Sequence, residues 1–112
     1  MITKKTIEVP IYNYKVVIIV EDTRGEAHEL YPSIGNKVAS CVLNYSDHSI
    51  IVVPPHQPDS IVHECVHLKN SIWDYIGYTP VANNDEVDAY LVDYLFTQVS
   101  KVVAKHNLAT HY

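Results

Sequence analysis

The sequence lacks several features, and each absence removes a class of protein. Its first residues, Met1 to Thr6, hold no apolar stretch of the kind that forms a secretory signal. The longest unbroken apolar run, Val16 to Val20, is far too short to cross a bilayer, so no membrane partner is expected. Basic residues are few: 8 Lys and Arg stand against 13 Asp and Glu, a formal charge of −5. Nucleic-acid binders normally show a basic face. Lys4-Lys5 and a few scattered cations do not make one, so no nucleic-acid partner is expected. There is no internal repeat, low-complexity tract or Gly/Ser linker. With 2 cysteines and no secretory signal, the expectation is reduced thiols in a cytoplasmic protein rather than a Cys41–Cys65 disulfide.

What remains suits a single domain over residues 1–112, with 47% apolar residues, an ordinary globular share. Thr6 to Pro10 alternates and Tyr14 to Glu21 is β-branched and apolar, which predicts one or two strands. Arg24 to Tyr31 is expected to form a short helix stopped by Pro32. Lys37 to Tyr45 and Ser49 to Val53 read as a hairpin turning at Ser46-Asp47-His48. Beyond it, Pro58 suits a first helical turn capped by Gln57 or His56, and Gly77 followed by Pro80 ends that helix. A second helix is expected from Asn83-Asn84 towards Lys105. Its apolar face (Leu91, Val92, Leu95, Val99, Val102, Val103) either covers the sheet or joins a second copy as a homodimer. The fold class is α+β: a small N-terminal sheet with a short helix, then two long helices.

The chemistry concentrates in His63-Glu64-Cys65-Val66-His67. Residues four apart sit one above the other on a helix, so His63 and His67 can put two imidazoles on one zinc ion. Glu64 lies one step round, beside the metal's open position, where it can take a proton from zinc-activated water. Cys65 points roughly opposite the histidines and is expected in the core. A catalytic zinc needs three protein ligands, and Glu86 on the next helix is the candidate for the third. Glu86, Tyr90, Asp93 and Thr97 form a polar stripe that must face water or a polar site, and small Ala89 would let the helices approach closely. Two alternatives stand beside Glu86. Asn83-x-x-Glu86 has the form of a capping box, and Asp85 or Asp88 could coordinate instead.

His63-Glu64-Cys65-Val66-His67 followed by Glu86-Val87-Asp88-Ala89-Tyr90 resembles the gluzincin metallopeptidases, and the compactness resembles their minimal prokaryotic and phage forms. The resemblance covers Ser49 to Lys105. It implies a zincin-like fold and zinc held by His63, His67 and Glu86. It also implies Glu64 as general base and a peptide or protein substrate cut with narrow specificity. Lys69 departs from the apolar residue usual at that place, and no second lobe walls a cleft. A non-catalytic zinc module that binds a protein partner is the other reading.

Among oxyanion donors the candidates are Tyr75, Tyr78 and Tyr90, with Tyr90 foremost, one turn from Glu86. Asp88 or Asp93 could orient a ligand histidine or simply be solvated. Ser49–Val53 is either an edge strand that could hold an extended peptide or, equally, a paired core strand. His56 and His106 read as surface residues, and the segment from His106 to Tyr112, with His111, as a short tail that could reach the metal.

Overall fold

The structure is a computed structural model that describes residues 1–34 and 40–110. Strands β1 (Ile2–Val9) and β2 (Tyr14–Glu21) form an antiparallel hairpin in which Val9 lies opposite Tyr14. The short helix α1 (Glu26–Leu30) follows. Strand β3 (Cys41–Asn44) then turns back antiparallel into β4 (His48–Val53), which pairs in parallel with β2. The sheet order is therefore β1-β2-β4-β3. Residues 37–39 of the expected hairpin lie outside the described residues. The rest of it forms as an antiparallel pair, and of the two readings of Ser49–Val53 the structure has the paired one: β4 is an inner strand, and the edge next to it belongs to β3.

Two helices lie on one face of the sheet: α2 (Pro58–Ile76) packs over β3 and β4, and α3 (Glu86–Thr110) over β1 and β2. Strand alternation divides the side chains between two cores. Tyr14, Val16, Ile18, Ile51 and Val53 face the long helices, where Leu68, Ile72, Leu95 and Val99 meet them. Ile19, Ile50 and Val52 face the other way, under Ala27 and Ile34. Both faces of β2 and β4 are covered, which is why those segments read as continuous apolar runs rather than as alternation. Each fully buried Leu or Ile contributes about 1.5–3 kcal/mol, so the two layers hold the helices firmly in place. The apolar face of α3 is occupied by the sheet, with Leu91, Leu95, Val99, Val102 and Val103 all in the core.

The ends of α2 follow from sequence chemistry. Gln57 is its N-cap and Pro58 opens it, a position where the missing N–H costs nothing. Gly77 closes it at φ 75°, a left-handed conformation that glycine adopts without Cβ strain. The Tyr78 amide then bonds back to the Trp73 carbonyl at 2.9 Å, and the Tyr78 ring packs on Trp73. The start of α3 differs from expectation. The Asn84 amide bonds to the Val81 carbonyl, so Asn83 sits inside a turn, and Asp85 accepts the first helical bond from Ala89. Asn83 therefore does not cap the helix, and the Asn83–Glu86 capping box does not form.

Candidate metal centre

The helix α2 has three faces with different surroundings. Ile61, Cys65, Leu68 and Ile72 point into the core. Lys69 and Trp73 meet Asp88 of α3: the indole N–H donates to the Asp88 carboxylate, and the Lys69 ammonium lies 3.6 Å from it. His63 and His67 are exposed on another face, above an open groove of about 500 Å³ that Ser40, Val42 and Asn44 close on the β3 side.

The two histidines converge. Their Nε2 atoms stand 3.3 Å apart, with the rings edge to face. Zn–N bonds of about 2.05 Å in a tetrahedral shell place two ligand nitrogens about 3.3 Å apart, so the spacing fits one zinc ion. Glu64 completes a group whose ligand atoms all lie within 4.8 Å of one another. Its side chain is buried, unusual for a carboxylate on a helix surface, and the Ser40 hydroxyl donates to Oε2 at 2.6 Å. That bond fixes the carboxylate at the groove wall beside the imidazoles. Ser40 was not legible in the sequence, being 24 residues away and brought in by the approach to β3.

Cys65 is fully buried, as its place in the helix suggested, and burial with the nearby Glu64 charge pushes its thiol up to about 12. Cys41 is likewise raised, first by burial and then by the charges of Glu64 and Glu21. Both cysteines are free thiols.

The structure does not bring Glu86 into the group. Among the described residues the cluster of three possible ligands consists of His63, Glu64 and His67. Glu86 is the exposed first residue of α3. Asp88, next to it, grips Lys69, which lies about 200° round the helix from His67. The first turn of α3 thus meets α2 on the flank away from the histidines. Asp88 is engaged there as a strut, which also explains Lys69, the departure noted in the motif. Asp85, Asp93 and Thr97 are exposed, so the polar stripe of α3 faces water. Ala89 is exposed too and does not mediate the approach of the helices.

Tyr90 is 70% exposed and lines a different groove, with Tyr12, Trp73 and Tyr94. Tyr78 is packed on Trp73. Tyr75 packs against Tyr14 and borders a small hollow that shares Asn44, Ser71 and Asp74 with the histidine groove. Of the three tyrosines it is the one that adjoins the site.

His56 is exposed, as expected, but His106 is not. Its ring is completely buried, with Nε2 2.7 Å from Asp22 Oδ1 and Nδ1 2.7 Å from Thr3 Oγ1. A carboxylate only accepts, so Nε2–H donates to Asp22, while Nδ1 and the Thr3 hydroxyl share the second bond. Helix α3 also continues to Thr110, so the segment after His106 is helix rather than a loose tail, while His111 lies outside the described residues. No family model matches the chain, and no curated protein or solved structure is significantly similar to it. No described helix is long and apolar enough to cross a membrane.

Proposed function

We propose that the chain is a small zinc-dependent metallopeptidase of minimal gluzincin type, with a zincin-like fold, acting in the cytoplasm on a peptide or protein substrate. The observation that carries this reading is the convergence of the His63 and His67 Nε2 atoms at 3.3 Å, with the buried Glu64 carboxylate beside them. His63 and His67 would hold a zinc ion, which when bound would supply the Lewis acidity that lowers the pKa of a water to about 7 and polarises a carbonyl. Glu64, fixed by Ser40, accepts the water's proton and passes it to the leaving amine. Glu86 is the proposed third ligand. Its carboxylate has no hydrogen-bond or ion-pair partner among the described residues, and with the capping box absent it is not committed to the helix start. Reaching the histidines requires residues 77–85 to rearrange. Tyr90, set apart from the histidines, would need the same movement to serve as oxyanion donor.

That separation favours a second reading, a zinc-binding module that contacts a protein partner through the groove without cleaving it. Glu64→Gln distinguishes the two. The peptidase reading expects zinc content to be retained while cleavage of a peptide library falls by about 10²–10⁴-fold. A zinc-loaded wild type that cuts neither library peptides nor a captured partner supports the binding module. In the same assay Glu86→Ala is expected to lose zinc, and full zinc retention would remove Glu86 as a ligand.

A further inference from the structure

The edge of the molecule opposite the histidines holds a second groove, between β1 and α3, of about 270 Å³. Lys4 and Lys5 of β1 and Lys101 and Lys105 of α3 line it, with Thr3 and Val102. Four of the chain's 8 basic residues thus line one groove on a protein of charge −5, and the site rests on three of them, Lys5, Lys101 and Lys105. The sequence separates them by nearly a hundred residues, and only the packing of α3 on β1 assembles them. We propose that this groove is a binding site for a small di- or triphosphate anion, free or carried by a nucleotide.

The charges are the first argument. Among the described residues none of the three ammonium groups has an ion-pair partner, although the chain carries 13 acidic residues. Lys101 and Lys105 are four apart on the helix, a spacing at which like charges weaken it. An anion between them and Lys5 would remove that repulsion. Lysines on a sheet edge also discourage pairing with another sheet, and Lys4 and Lys5 on β1 fit that use. It does not account for Lys101 and Lys105, which are on the helix. Lys4 itself is engaged elsewhere, its ammonium 5.4 Å from the Tyr31 ring centre.

The walls are the second argument. The Thr3 hydroxyl is bonded to buried His106, which Asp22 holds from its other nitrogen, so one wall is fixed. Gln98 adds an amide, and Val102 an apolar surface. The volume is near the lower bound of small-molecule sites, about 300 Å³, and too small for a macromolecular surface. Lysines bind phosphate as movable point charges and need no bidentate geometry. A polyphosphate, with several negative charges in a small volume, matches three such donors better than a single carboxylate.

The proposal does not depend on the zinc reading. Its test is an NMR titration of ¹⁵N-labelled full-length protein with sodium pyrophosphate and, separately, with ADP. Wild type is compared with Lys101→Gln/Lys105→Gln, two exposed positions whose replacement leaves the core intact, checked by a thermal melt. Saturable shifts at the amides of residues 3–7 and 98–105, weakened by about tenfold or more in the double variant, support the site. Equal affinities identify an inorganic polyphosphate, and tighter ADP binding identifies a nucleotide whose body meets Val102. No saturable shift with either anion overturns the proposal, as do shifts unchanged in the double variant. Tighter binding of a polyglutamate peptide than of either anion also overturns it, because the face would then serve an acidic protein partner.

Discussion

His63 and His67 on α2 and His106 on α3 are the same residue type in opposite circumstances. The first two stand exposed at the rim of a groove, their Nε2 atoms turned towards each other. His106 is fully buried, and both of its nitrogens are already bonded, to Thr3 and to Asp22. The difference teaches what makes a histidine a candidate ligand. It is an exposed ring nitrogen turned towards a second potential ligand, rather than one that buried packing has already bonded on both sides. His106 ties the end of α3 to β1 and to the residue after β2, and its chemistry is structural. The α2 pair adds little to the fold and is free to hold a metal.

The comparison breaks most visibly at His106. Replacing it with Ala leaves a cavity and strands the Thr3 hydroxyl, and the expected loss is about 3 kcal/mol in urea unfolding. Zinc content of the folded variant is expected to be unchanged. A loss of metal alone would reverse the roles assigned to the two regions.

Acid tests the same latch. The bond from His106 holds the Asp22 carboxyl below its ordinary range, and the His106 and N-terminal charges act in the same direction. A carboxyl whose folded pKa is lowered contributes stability above the unfolded value, about 3.9, and that stability is lost as pH falls through the lower folded value. Thermal melts on acidification are expected to show a steep limb below the ordinary Asp range, flattened in Asp22→Asn. An identical limb in the variant would assign acid sensitivity elsewhere, for instance to Glu26, which the N-terminal ammonium also lowers.

The smallest expected change in fold stability comes from the pair itself. His67→Ala in metal-free protein is expected to change stability by no more than about 0.5 kcal/mol, as is usual for exposed positions without a structural partner. A loss as large as that of His106→Ala would mean that the pair is a packing element.

How far these regions could be read in the sequence follows from the distance between partners. The bounds of β2, the closure of α2 at Gly77 and the grouping of His63, Glu64 and His67 are local patterns, set by periods of two and 3.6 residues. Helix α1 and the β3–β4 turn were legible for the same reason, whereas the apolar face of α3 left the sheet and a second copy equally open as its cover. What was missed rests on long-range pairing. His106 looked like a surface residue because its partners are 103 and 84 residues away. Whether Ser49–Val53 is an edge or an inner strand stayed open because strand order depends on where β3 inserts, which no local pattern states. The Asn83–Glu86 pattern fitted a capping box until the Val81–Asn84 turn took Asn83 out of the cap position. The basic groove has the same origin, since Lys5 and Lys105 meet only through tertiary packing.

The most direct test of the central claim is elemental analysis of zinc in tag-free protein, wild type beside His67→Ala, after reconstitution and removal of loosely bound metal. The two-histidine site is expected to give one zinc per chain in wild type and almost none in a variant that melts normally. Wild type that retains no zinc, or a variant that retains it all, would contradict a metal centre built on His63 and His67.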